Sequence, residues 1–429
     1  MKHLWLLALV FVLLSTQSQA QGGQSYTDYN LRIQDSTNKE ILLRNLGNGY
    51  FPTKYFNFDL RYLSKYNQYE GFRTGLGGLT TNALSKIFRI QTYLVYGFRD
   101  DAFKYSIGGG LRLFPETNTW IHFAYTEDLE ETGSSAFLTD KRFFQLIEPR
   151  RFNISLFHHY ISQEINIEHR LSPHILTETE LAHTNISPKY DYVFRPSSTE
   201  SYTNFDLSYV KFSMQWSPFS KYDRINERLK EVHKGFPKFT LQYTHSFEDV
   251  FKGNFNFNKI DLRVLQVFDH KNESDTEIVL TTGYASGEVP LTHAYHAFPN
   301  NVNKETILQR FSIAGTNSFE TMYFNEFFSD KVLTFRVKHK LKPFNISPWF
   351  KPQLAFLTKF AIGDMDNPEQ HEMMNFSTLE KGYLESGIEI NRLIFGFGLS
   401  FAYRYGAYHL PKIDDNIAFK FTFYLNLEK

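Results

Sequence analysis

The sequence contains no cysteine, which excludes disulfides, thiolate metal sites and cysteine nucleophiles. It has no excess of either charge: Lys and Arg number 46, and so do Asp and Glu. That balance gives no electrostatic case for a nucleic-acid partner or a polybasic membrane patch. Beyond the extreme N-terminus no stretch approaches the ~20 apolar residues of a membrane helix. The most apolar, Leu393 to Ala402, is interrupted by Gly396, Gly398 and Ser400. Pro/Gly/Ser-rich linkers, low-complexity tracts and fixed-period repeats are also missing, so the chain reads as one domain. It carries no Gly-x-Ser-x-Gly elbow, phosphate loop or His-Glu-x-x-His motif. With no triad to assemble, the expectation is a protein that is not an enzyme and takes no cofactor.

What the chain has in excess is aromatic residues, 17% of the total, with 44 Phe and 26 Tyr. It also has a processing signal. Lys2 and His3 precede the apolar run Leu4 to Leu14, and Ser15 to Ala20 ends in Ser18-Gln19-Ala20. A basic start, a short apolar core and a small-x-small end describe a cleaved secretory signal peptide. The expected organisation is therefore signal peptide 1–20, a short periplasmic segment 21–50, and a barrel over 51–429.

The barrel expectation comes from period-two patterning. In "KIFRIQTYLVYGFRDDAFKYSIGGGLRLF", Phe88, Ile90, Leu94 and Tyr96 share a face with Phe103, Tyr105, Ile107, Leu111 and Leu113 if the turn keeps register. Arg89, Gln91, Lys104, Ser106 and Arg112 take the other face. The same grammar recurs in "KFTLQYTHSF", "KVLTFRVKHKL" and "LIFGFGLSFAYRY". Strands of about ten residues are long for soluble sheets and suit a tilted bilayer crossing. Full charges on the polar phase suit a hydrated lumen. The fold class is thus all-β, a closed antiparallel transmembrane β-barrel of about 16 strands within a range of roughly 14–18. It is placed as an integral protein of the outer membrane of a Gram-negative bacterium. One interruption is expected: Ile225, Leu229 and Val232 in "SKYDRINERLKEVHKG" have helical spacing and predict a short amphipathic helix.

Several blocks carry a family resemblance. "YNQYEGFR" (Tyr66 to Arg73), "YGFRD" (Tyr96 to Asp100) and "FKY" (Phe103 to Tyr105) lie in Gly49 to Phe114. "GYASGEVPL", "FETMYFNEFFSDKVLTFRVKH" (Phe319 to His339) and "YLESGIEI" (Tyr383 to Ile390) follow in order. Together they resemble an uncharacterised outer-membrane barrel family whose members usually carry an N-terminal carboxypeptidase-regulatory-like domain. That family is similar in turn to the BamA/TamA-like bacterial surface-antigen superfamily. The resemblance implies a non-catalytic barrel acting in envelope assembly, export or maintenance. Its partners would be outer-membrane lipid, the barrel-insertion machinery and a periplasmic or outer-membrane protein. Residues 21–50 are too short for the regulatory-like domain or for POTRA repeats. The connection Gly287 to Ser318 falls where the superfamily has an inward loop but lacks its Val-Arg-Gly-aromatic tip, which speaks against insertase activity. A small-solute channel and an exported soluble β-rich enzyme or binding protein are the alternatives.

The candidate site is a lumen charge network. Glu70 and Arg73 point the same way if Gly71 sits in a bulge. Glu326 and Asp330 lie near Arg336 and Lys338 in sequence and can form carboxylate–cation pairs with them. Neither the adjacent His158 and His159, nor His293 with His296, nor Asp364 with Asp366 completes a metal set, so no metal is expected. In the closing strand Phe419, Phe421, Phe423, Leu425 and Leu427 should face lipid, with Lys420, Thr422, Tyr424 and Asn426 opposite. Replacing Phe421 and Phe423 with Asp is expected to abolish membrane assembly, and normal outer-membrane levels of that variant on fractionation would refute the assignment.

Overall fold

The computed structural model describes residues 46, 49–140, 150, 154–225, 228–270, 272–302, 312–315, 317–347, 350–393 and 396–423. The proposed signal peptide, Leu425, Leu427, Tyr424 and Asn426 lie outside them. Nearly all regular structure is β. Strand β1 is split by a 3-10 turn at Leu60–Tyr62 into Phe56–Asp59 and Lys65–Asn67. It is followed by β2 (Gly71–Thr80), β3 (Phe88–Gly97), β4 (Ala102–Phe114), β5 (Thr119–Glu131), β6 (Phe157–Ser172), β7 (Ile175–Pro188) and β8 (Phe205–Trp216). The second half comprises β9 (Lys238–Phe247), β10 (Phe257–Asp269), β11 (Asp275–Gly287), β12 (Lys331–Lys340), β13 (Gln353–Asp364), β14 (Tyr383–Asn391), β15 (Phe397–Tyr405) and β16 (Ile417–Phe423). Each pairs antiparallel with its sequence neighbours in one continuous meander. The sheet has 19 strand segments; joining the halves of β1 and setting aside two short flanking segments leaves sixteen.

Register follows the alternation. Leu94 pairs with Tyr105 and Tyr96 with Phe103, as their shared phase requires. The turn between them uses Asp101 at φ 49°, a left-handed conformation that Asp tolerates. Phe103 is 61% exposed while its neighbour Lys104 is 2% exposed. That inversion runs along the sheet: Leu76, Ile107, Leu181, Tyr243, Ile260, Phe335 and Phe401 are exposed, whereas Glu180, Gln242, Lys259, Lys359, Glu389 and Arg404 are buried. The sheet therefore turns an apolar face outward and encloses a polar one.

Because successive strands alternate in direction, alternate connections emerge at the same end. Connections 132–156, 189–204, 288–330 and 365–382 share one end, while 115–118, 173–174 and 270–274 are tight turns at the other. The long connections supply the molecule's apolar core. Tyr192, Phe194, Phe255, Leu291, Tyr295, Phe319, Phe327, Phe328 and Leu379 pack together. Val193–Phe194 pairs with His371–Glu372, joining two of those connections.

Two expectations are corrected. Residues 221–233 form a hairpin, Lys221–Ile225 against Arg228–His233, and not a helix. An isolated helix of that length with three apolar residues is marginal, whereas the hairpin is anchored at its base by Ser220 to Gly235 hydrogen bonds and by Lys238 on Glu231. Direct pairing of β16 with β1 is also not formed among the described residues. The free edge of β16 is met in parallel by Ser312–Ile313, and that of β1 antiparallel by Tyr50–Pro52. Exposed edge hydrogen-bonding groups need covering, and here the chain covers part of each edge with a segment of its own.

Gly283 on β11 shows how tightly the inward connection seats: a Cβ there would lie 2.5 Å from the Tyr295 ring. Gly283→Leu is expected to cost about 1–3 kcal/mol by overpacking, read as a lower unfolding midpoint in detergent, while Tyr284→Leu on the outward face changes it little.

Candidate functional site: a charged inner face gripped by an inward connection

The described parts of the connection 288–330 lie along the inner face. Its segment Phe319–Tyr323 pairs in parallel with Pro299–Asn301. Alternation within that segment divides its side chains: Phe319 joins the apolar core while Glu320 faces a cluster of charges. Glu320 is 3% exposed, 3.1 Å from the Lys420 ammonium and 3.9 Å from that of Lys359. It also accepts hydrogen bonds from Asn300 at 2.8 Å and Ser318 at 2.7 Å. Lys420 donates in addition to the Asn300 carbonyl. Beside it, Lys359 bridges Glu385 at 2.9 Å and the Ser318 carbonyl at 2.6 Å. Glu385 receives the Thr321 amide at 2.7 Å and its hydroxyl at 2.6 Å. The connection is thus bound through β13, β14 and β16 together.

Four further contacts hold other described parts of it. Arg404 on β15 is 1% exposed, lies 4.8 Å from the Tyr383 ring centroid and donates to Glu326 at 2.7 and 3.1 Å. Glu131 at the end of β5 pairs with Arg150 and lies 2.8 Å from His296 Nε2. Tyr295 donates to Asp261 on β10 at 2.7 Å, and Lys259 donates to the His293 carbonyl at 2.6 Å. Burial lowers the His296 pKa, and Nδ1 of that ring accepts the Phe298 amide. In the adjoining cap, burial pushes His371 down to about 4, so it is a neutral partner for the Tyr192 hydroxyl at 2.9 Å.

A second network joins β1 through β5. Glu70 and Arg73 do meet, at 3.3 Å, but through a turn that ends on Gly71 at φ 65°, not through a strand bulge. Arg73 also forms a two-pronged pair with Asp128 at 2.7 and 2.8 Å, Tyr93 donates to Asp128 at 2.6 Å, and Lys104 lies 2.9 Å from Glu70.

The other expected pairings are redistributed. Glu326 meets Arg404, Arg336 donates to Asn317 at 2.6 Å, and Lys338 pairs with Glu389 at 2.6 Å. Asp330 uses its backbone and carboxylate at the mouth, accepting the Ala285 and Asp366 amides. Nearness in sequence misled because partners in a meander come from neighbouring strands and from the inward connection. Lys359, Glu385, Arg404 and Lys420 lie on the polar phase of their strands, a signal that marks them as inward. Nothing local marks Glu320 as their counter-charge. In the closing strand Phe419 is exposed and Lys420 and Thr422 are buried. Among the described residues no three His, Asp or Glu side chains converge on a metal position.

Residues 156–323 match a family model described as "Family of unknown function (DUF5686) C-terminal domain". The match spans β6 to β11 and the inward connection as far as Tyr323, so the Gly49–Phe114 blocks lie outside it. No curated protein matches the chain. Similar solved structures include BamA from Haemophilus ducreyi lacking POTRA domains 1–3, with TM-score 0.49 and 10% identity over 83% of this chain and 68% of that one. CdiB from Acinetobacter baumannii has TM-score 0.40 and 13% identity over 83% of this chain, which spans 57% of CdiB. Wzi from Escherichia coli, an outer-membrane protein involved in group 1 capsule assembly, has TM-score 0.29 and 10% identity over 90% of this chain and 85% of Wzi.

Removing one partner of a buried ion pair strands the other. Lys420→Ala is expected to destabilise the protein by about 3–5 kcal/mol. The combined Lys420→Met, Glu320→Leu variant should recover much of that loss, as a double-mutant cycle on unfolding midpoints would register.

Proposed function

We propose that this chain is an outer-membrane β-barrel whose lumen is blocked by its own inward connection. In this reading it serves envelope assembly, export or maintenance without catalysing a reaction, together with a partner protein. The observation that carries the proposal is the Glu320–Lys420–Lys359–Glu385 cluster. Charges buried this deeply stay in place only while paired, so the connection they hold is a resident of the lumen and not a passing loop. The outward apolar face supports the membrane: burying it in lipid accounts for exposed Leu, Ile, Phe and Tyr along strand after strand. Long connections gather at one end, and apart from 217–237 and 341–352 the other end has short ones, which fits the outer-membrane arrangement of long external loops and short periplasmic turns.

The channel reading is supported by the charged inner face, but a channel needs an unoccupied path, and the inward connection crosses from β5 to β16. The exported soluble reading leaves the outward apolar face without a partner.

Purified protein should migrate as a heat-modifiable band and should be silent in single-channel recordings from planar bilayers. A steady open conductance in the wild type would overturn the blocked-lumen reading in favour of the channel. Full solubility without detergent, with no heat shift, would remove the membrane reading altogether.

A further inference from the structure

The end of the sheet with tight turns carries a feature that the lumen does not explain. Between the β10–β11 turn and the end of β12 lies an open groove of about 620 Å³ lined by His270, Asn272, Ser274, His339, Leu341, Lys342 and Phe344. Its position is set by register. Thr276 pairs with His339, and both lie in the outward phase shared by Ile278, Leu280, Phe335 and Val337. The groove therefore opens on the apolar outer face at its very edge and not on the inner one.

Its chemistry changes over a few ångströms. Leu341 and Phe344 continue the apolar band, and Phe268 and Ile346 nearby are exposed. The polar wall is made of nitrogen donors. His270 Nε2 lies 2.9 Å and His339 Nδ1 2.8 Å from the single Thr276 hydroxyl, with ring centroids 5.8 Å apart. That hydroxyl has one proton, so at least one ring donates to it, and that ring offers an N–H to a ligand on its other nitrogen only when doubly protonated. Lys342 is 52% exposed and has only a loose contact, 3.5 Å, with the still more exposed Glu273. The neighbouring Lys340 and Asp275 pair with each other at 3.1 Å in the inward phase. No carboxylate is among the described residues that line the groove.

We propose that this groove binds the phosphate headgroup of an anionic glycerophospholipid in the leaflet at the tight-turn end, with His270, His339 and Lys342 on the phosphate and Leu341 and Phe344 against the first acyl carbons. The inference rests on the membrane-barrel reading. Imidazole N–H and ammonium donors recognise an anion where no carboxylate is in the described lining and the only ion pair of Lys342 among the described residues is with the exposed Glu273. The apolar wall continuous with the lipid-facing band selects an anion that carries a tail, and the volume falls within the range of small-molecule pockets. Two imidazoles without a third ligand do not form a metal site.

The test is native mass spectrometry of the detergent-solubilised full chain titrated with phosphatidylglycerol. The same samples are run for heat-modifiable mobility, and inorganic phosphate is titrated in a parallel arm. Wild type should hold one phosphatidylglycerol, and the His339→Ala, Lys342→Ala double variant should bind it about tenfold more weakly. Lys86→Ala, at another tight turn, should bind as wild type does. Lys342→Ala alone removes a half-exposed group and keeps the test decisive if the double variant does not fold. Equal affinity in wild type and in heat-modifiable groove variants overturns the site while leaving the barrel intact. Inorganic phosphate occupying the groove as well as the lipid does overturns its assignment to lipid. Absence of heat-modifiable behaviour in the wild type counts against the barrel reading itself and removes the leaflet on which the site depends.

Discussion

Glu320 is the charge around which the inner architecture is arranged. Almost no water reaches it, and an unpaired buried carboxylate is among the most expensive features a fold can contain. Its compensation comes from two lysines on different strands, Lys420 on β16 and Lys359 on β13, and from the Asn300 and Ser318 side chains of its own connection. Because those lysines are themselves buried, the dependence is mutual. The connection cannot leave without stranding cations on the wall, and the wall cannot shift without stranding an anion on the connection. The Glu385–Lys359–Thr321 bonds and the Arg404–Glu326 pair extend the same logic along β14 and β15.

This arrangement explains why the core lies at one end. A sheet with an apolar outside and a polar inside cannot bury its own hydrophobic side chains against itself. The connections and the adjoining strand ends do so instead, and the aromatic cluster of Phe194, Phe255 and Phe327 with Tyr383 of β14 is where ordinary tertiary packing is found. Phe319 belongs to that cluster while its neighbour Glu320 belongs to the charge network. One strand segment thereby ties the apolar cap to the charged interior.

Much of the sheet was legible because period-two alternation reports which face each residue takes, and register follows from it. The β3–β4 hairpin and the inward phase of Lys420 and Arg404 could be read without coordinates. Legibility ended where geometry depends on residues distant in sequence. Arg336 and Lys338 are inward as expected, yet their partners include Asn317 on the inward connection and Glu389 on a strand some fifty residues away. In the 221–233 segment the spacing of Ile225, Leu229 and Val232 is helical, yet so short a segment is decided by its anchors, Ser220, Gly235 and Lys238. Glu70 and Arg73 converge by a turn whose positive-φ glycine can be guessed but whose shape cannot.

The two outer edges of the meander follow from the same economy of unsatisfied groups. Backbone bonds such as the His296 amide to the Gly133 carbonyl and the Phe328 amide to the Ser377 carbonyl already tie the connection to its neighbours. With Ser312–Ile313 lying along β16, and the Ala314 amide donating to the Phe421 carbonyl at 2.7 Å, the connection also takes part in the backbone ladder. Asn300 ties this strap to the charge cluster, because its amide donates both to the Ile313 carbonyl at 3.1 Å and to Glu320 at 2.8 Å. Edge and interior are therefore one mechanical unit. A disturbance of the Glu320 pairs is transmitted to the edge of β16, and any strand that displaced the strap would have to break the bonds that Asn300 makes at both ends. The strap on β16 and the charge cluster therefore share Asn300, which is why the covered edge and the bound connection belong to a single structural account.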